Sequence, residues 1–135
     1  VNIRKKASPL ISEYCFHELK ECNLRNKQGL FNQHCHLNSV DYASKHKGFQ
    51  VVMGLYRGIG ESTSHLHFWV RKNSIDYEVS VGYQCKEHRY WEIRVIGSQD
   101  FHQIQGIFSD ALDYYKLKFT TPWQRFWALS TDRVI

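Results

Sequence analysis

Residues 49–83 read FQVVMGLYRGIGESTSHLHFWVRKNSIDYEVSVGY, and the period of this stretch decides the fold. Phe49 to Tyr56 is a continuous apolar run, as expected of a strand buried on both faces. Gly58-Ile59-Gly60-Glu61-Ser62 supplies a turn. From His65 to Val70 the chain alternates, with His65, His67 and Trp69 on one side and Leu66, Phe68 and Val70 on the other. Lys72-Asn73-Ser74 turns it into a further run, Ile75 to Tyr83, in which Ile75, Tyr77, Val79 and Val81 share a face. Extended runs joined by short polar turns predict an antiparallel meander.

The flanks read differently. Residues 35–46 predict a helix with Leu37, Val40 and Ala43 as its apolar stripe, stopped by Gly48. Before it, Gly29 to His34 is a polar loop. Residues 9–27 predict another helix, opened by Ser8-Pro9 or Ser12 and carrying Leu10, Tyr14, Leu19 and Leu24. Beyond the meander, Tyr90 to Ile96 reads as a fourth strand. Residues 99–117 read as a helix with Phe101, Ile104, Phe108, Leu112 and Tyr115 at spacings of three and four. Trp123, Phe126 and Trp127 suit the tail from Thr120 to Ile135 to pack on the sheet. The expectation is one domain over residues 1–135, of α+β class, with helices segregated from an antiparallel sheet.

Composition narrows the function classes. With 135 residues and an aromatic fraction of 15%, the chain can bury one core of large rings, which excludes general disorder. No run approaches the roughly 20 apolar residues that span a bilayer, and no signal-peptide h-region is visible. No membrane association is therefore expected. The net charge of +5 comes from basic residues that are scattered apart from Arg4-Lys5-Lys6. Scatter favours a solvated surface over a nucleic-acid face and is compatible with an acidic protein partner. Four cysteines, Cys15, Cys22, Cys35 and Cys85, in a domain large enough to fold without bridges are read as reduced thiols. A reducing, cytoplasmic setting, or delivery into a host cell, follows as the expected location.

Chemistry concentrates at Cys35. It stands at the predicted start of a helix after a polar loop, between His34 and His36, and not in an apolar stripe. A helix N-terminus favours thiolate, and its unpaired N–H groups can receive an oxyanion. His67 lies in a strand expected beside that helix, and Asp76 opens the next strand, where a hairpin can bring it alongside His67. Nucleophile, imidazole base and orienting carboxylate are the three parts of covalent acyl transfer. His65 shares the face of His67 and is the alternative base; Asn73 and Glu78 are the alternatives to Asp76. Gln33, with Gln28 and Asn32 behind it, is the candidate side-chain oxyanion donor, beside the backbone N–H of Cys35. Asn38, one turn into the helix, is placed as a brace. Trp69 is a candidate for lining a substrate cleft, although a strand aromatic is more often core.

The ordered set Cys35-His36-Leu37-Asn38, Val52-Met53-Gly54-Leu55-Tyr56, His67-Phe68-Trp69 and Asp76 resembles the core of the papain-like and transglutaminase-like cysteine hydrolases, in particular small microbial and phage members. The resemblance covers roughly residues 30 to 83. It implies Cys35 as nucleophile, His67 as base and Asp76 as orienter. It further implies an amide, thioester or isopeptide substrate on a protein or peptide, processed through a thioester on Cys35.

Two other classes compete. Cys15-x-His17 with Cys22, the His34-Cys35-His36 triplet and Cys85-x-x-His88 offer zinc ligand types, but their spacings match no standard zinc finger. No metal or other cofactor is therefore expected. A basic, aromatic-rich interaction protein of phage or bacterial origin, binding a host protein without catalysis, would need no triad.

Overall fold

The computed structural model describes residues 19–30, 34–58, 60 and 65–118. It is a mixed α+β fold of one six-stranded sheet and two helices. The strands are β1 (Lys20–Cys22), β2 (Leu24–Asn26), β3 (Gln50–Arg57), β4 (His65–Lys72), β5 (Ile75–Glu78) and β6 (Arg89–Ile96). The helices are α1 (Cys35–Lys45) and α2 (Ile104–Lys118), the latter entered through a 3-10 turn at Ser98–Gln103. The predicted helix at residues 35–46 and strands near 49–56, 65–70 and 90–96 are present. The predicted helix over 99–117 is split, its first part being the 3-10 turn. The predicted tail from Thr120 lies outside the described residues.

Sheet order is β1-β6-β3-β4-β5-β2, and every pairing is antiparallel except β2 with β5. β1 and β2 therefore occupy opposite ends of the sheet, yet only Asn23 separates them in the chain. Consecutive Cα atoms are about 3.8 Å apart, so one residue can join the two ends only if the sheet curls round on itself. The curl corrects the sequence reading: residues 20–26 are strands, not the end of a helix. Their pattern is that of edges, with Cys22 and Leu24 buried and Lys20, Glu21, Arg25 and Asn26 exposed.

Curling gives the sheet an inner and an outer face. Cys22, Leu24, Val52, Tyr56, Trp69, Cys85 and Tyr90 cluster inside. Val51, Met53, Leu66, Phe68 and Val70 form the larger outer cluster with Cys35, Tyr42, Ala43 and Ile104 of the helices. The two-residue alternation of β3 and β4 sorts these sets. His36 links the helices: its ring stacks on Phe108 with centroids 4.0 Å apart, and Nε2 lies 3.2 Å from Gln105 Oε1.

Two local features set the registers. Asn73 and Ser74 both have positive φ, 52° and 63°, as a two-residue type I′ hairpin requires, so Lys72 faces Ile75 and Arg71 faces Asp76. On the other side of the sheet, a bulge at Met53/Gly54 shifts β3 against β6. A Cβ at Gly54 would run into the Trp91 carbonyl oxygen and the Trp69 ring. Glycine here lets the bulge close and the Trp69 ring approach the backbone.

Candidate active site

β5 pairs with β4 only opposite Val70 to Lys72, which leaves the edge of β4 at residues 65–69 uncovered by β5. The chain before α1 is carried towards that gap. The Lys27 and Gln28 N–H groups donate to the Glu78 carbonyl, and the Leu30 N–H donates to the Ser80 carbonyl at 2.9 Å. Helix α1 then opens with Cys35 as its first residue, and the Asn38 N–H closes the first turn on the His34 carbonyl at 2.8 Å. The Cys35 thiol meets the His67 side chain and a backbone hydrogen bond from Phe68. A thiol anchored in the helix-side cluster thereby reaches a ring on the inner face of the sheet.

Glu78 completes the arrangement. Its Oε1 lies 2.6 Å from His67 Nε2 and accepts the Tyr90 hydroxyl at 2.9 Å. Its Oε2 accepts the N–H groups of Val79 and Ser80 at 3.0 and 3.1 Å. Those two N–H groups are lost to any further ladder, so the strand expected to run from Ile75 to Tyr83 ends at Glu78. The chain then bends at Val79–Val81 into a 3-10 turn beginning at Gly82. With Nε2 engaged by Glu78, Nδ1 is the ring nitrogen left to face the thiol, and it is buried without a hydrogen-bond partner.

Asp76 does not meet His67. It opposes Arg71 across the hairpin, four residues along β4 from His67, a distance of about 13 Å at the usual strand rise. There it forms a bidentate pair with Arg71, Nε to Oδ1 at 2.5 Å and Nη2 to Oδ2 at 3.0 Å, while Arg71 Nη2 also contacts Glu92 Oε1 at 2.7 Å. Glu78 lies two residues further along the same face, and its longer side chain spans the diagonal to His67. Among the other expected site residues, His65 lies at the start of β4 against the Tyr56 ring. The Asn38 amide donates to Ser80 Oγ at 2.9 Å, tying the cysteine helix to the turn that holds Glu78. Trp69 is fully buried in the inner cluster, where it packs as core. Gln33 and Asn32 lie outside the described residues.

Electrostatics set the resting protonation. Cys35, His67 and Glu78 are all completely buried. Burial disfavours the His67 cation, but the charge of Glu78 outweighs it, with further help from Cys35, and raises the imidazole to about 10. Burial likewise pushes Glu78 up, and the His67 charge with the hydrogen bonds from His67, Ser80 and Tyr90 more than reverses it, holding the carboxyl below its ordinary range. For Cys35, burial wins: the thiol is raised despite the hydrogen bond and charge of His67. The helix N-terminus does not deliver the thiolate that position alone would suggest. At neutral pH the site is a thiol beside an imidazolium–carboxylate pair.

Cys22, Cys35 and Cys85 are free thiols, and burial also raises Cys22, to about 11, and Cys85. Among the described residues, no three His, Cys, Asp or Glu side chains converge to hold a metal ion, and no helix is long and apolar enough to cross a membrane. Comparison of the chain with protein-family models, curated proteins and solved structures finds no match.

Proposed function

We propose that this protein is a thiol-dependent acyl-transfer enzyme acting on an amide or isopeptide of a protein or peptide, with Cys35 as nucleophile, His67 as acid and base, and Glu78 as orienter. The observation that carries this reading is a buried thiol, Cys35, set against the unpartnered side of His67, whose other ring nitrogen is held by a Glu78 carboxylate that accepts three further hydrogen bonds on its two oxygens. Such a carboxylate fixes the ring and stabilises its cation.

Each step balances on these groups. Loss of one proton from the resting site gives a Cys35 thiolate beside imidazolium. Its sulfur attacks the substrate carbonyl, and the oxyanion faces the N–H groups of the first turn of α1, which have no partner inside the helix. Collapse forms a thioester on Cys35, and His67 donates its proton to the departing amine. Water then attacks the thioester with His67 as base; collapse releases the acid and leaves thiolate beside imidazolium, which regains from solvent the proton lost at the outset. Because all three groups are buried, the carbonyl reaches sulfur only after the atoms covering it move.

The same complete burial favours a second reading, in which the three groups form a structural polar network in a binding protein. An activated acyl ester separates the two. With p-nitrophenyl acetate, the enzyme reading requires a burst of p-nitrophenol and an acetyl group mapped to Cys35, both absent from Cys35→Ala. Acetylation spread over lysines, unchanged in Cys35→Ala, would leave the binding reading in place.

A further inference from the structure

At the opposite end of α1, about 15 Å along the helix from Cys35 by its rise per residue, lies an open cavity of about 570 Å³. Its walls are aromatic. Tyr42 stacks on His46 with centroids 4.0 Å apart, Phe49 meets Tyr42 edge-on at 5.2 Å, and Tyr77 meets Phe49 at 5.8 Å. Four lysines from three separate stretches surround these rings: Lys27 after β2, Lys45 and Lys47 at the end of α1, and Lys72 at the hairpin. Lys45 is paired with Asp41 at 3.1 Å. Among the described residues, Lys27, Lys47 and Lys72 have no carboxylate partner and no acidic side chain lines the cavity.

A lysine near a helix C-terminus is ordinary compensation for the helix dipole, and that accounts for Lys45 and Lys47. It does not account for Lys27 and Lys72, which come from elsewhere in the chain and are held over rings. The Lys27 ammonium is 5.1 Å from the centre of Tyr77, and that of Lys72 is 5.4 Å from the centre of Phe49. A cation–π contact occupies one side of an ammonium and leaves its remaining donors for an anion. The volume lies in the range of small-molecule sites, and the lining is more polar than apolar, which suits a charged ligand over an apolar one.

We propose that this cavity binds a phosphate ester carried on a flat ring, with the phosphate between Lys27, Lys47 and Lys72 and the ring against Phe49 and Tyr77. Two sources share that chemistry, a mononucleotide and a phosphorylated tyrosine. The site is separate from Cys35 and stands whether or not Cys35 is catalytic.

The test is calorimetric titration of the full chain with AMP, O-phosphotyrosine and inorganic phosphate at low and high salt. At least one ring-bearing phosphate is expected to bind at least tenfold more tightly than inorganic phosphate, and to weaken as salt rises. The tighter of the two identifies the source. Lys27→Gln with Lys72→Gln is expected to weaken binding at least tenfold, whereas Arg94→Gln, an exposed charge on β6, leaves it within twofold. Equal binding of inorganic phosphate, no binding of any probe, or equal losses in the lysine and Arg94 variants would overturn the proposal.

Discussion

Glu78 Oε1 lies 2.6 Å from His67 Nε2, while Asp76, two residues earlier on the same face of the strand, is held by Arg71. The type I′ turn at Asn73-Ser74 decides between these carboxylates, because it fixes Asp76 opposite Arg71 and leaves Glu78 on the diagonal to His67. Their substitution should separate the two roles. Glu78→Gln is expected to lower acyl transfer by at least about a hundredfold, within the range of a general acid–base contribution. Asp76→Asn should change it less than about threefold and cost about 1–2 kcal/mol of stability through Arg71. Rates of acetyl-Cys35 formation, with denaturant melts of each variant, check this; the reverse ranking would return the orienting role to Asp76.

The His67–Glu78 pair also makes stability depend on pH. His67 is raised from 6.5 to about 10 in the folded state, so its contribution is complete below pH 6.5 and is lost as pH rises towards 10. Glu78 is lowered from 4.5, so its contribution is complete above pH 4.5 and disappears as pH falls through the folded value. Tm should therefore be highest between about pH 4.5 and 6.5 and decline on the alkaline side. In Glu78→Gln the alkaline decline should flatten, with a loss of about 3–5 kcal/mol where the wild type is most stable, as expected when one partner of a buried pair is removed.

Thiol reactivity follows from the raised Cys35. In the native protein, iodoacetamide should label Cys35 slowly at pH 7, with a rate that climbs through pH 8 and 9 and no plateau below pH 8. Denaturation should restore the rate of an ordinary thiol. Mass spectrometry of each cysteine against pH measures this. Rapid labelling at pH 6 would show a pre-formed thiolate and contradict the resting state derived from burial.

Gly54 offers a test of how the sheet supports the site. Gly54→Ala should cost about 3 kcal/mol, near the upper end of ordinary overpacking, because backbone and a buried indole both crowd the new methyl. Trp69 is two residues from His67 on the same strand face, so acyl transfer should fall together with the denaturation midpoint. An unchanged midpoint would mean that the bulge at Met53/Gly54 relaxes freely.

Much of this site was legible in the sequence, for reasons that can be named. His67 and its strand were visible because alternation from His65 to Val70 is a local property. Cys35 was visible because a polar loop gives way to helical spacing at that residue. Glu78 stood only as an alternative to Asp76, since choosing between two carboxylates on one face needs the hairpin register. Asn73-Ser74 lacks the Gly that usually announces a type I′ turn. The strands at Lys20–Cys22 and Leu24–Asn26 were hidden for a different reason. Three-residue edges carry almost no periodic signal, and Leu19 and Leu24 fit helical spacing by chance. Burial of the thiol was not legible either, because it depends on residues distant in the chain closing over Cys35.

The most direct measurement of the Cys35–His67–Glu78 relationship is the titration of the His67 ring nitrogens by ¹⁵N NMR in the wild type and in Glu78→Gln. Both nitrogens are predicted to be protonated at pH 7 and to titrate near pH 10, with a clear fall in that value when Glu78 loses its charge. A His67 ring that is neutral at pH 7, or whose titration is the same in Glu78→Gln, would contradict the account.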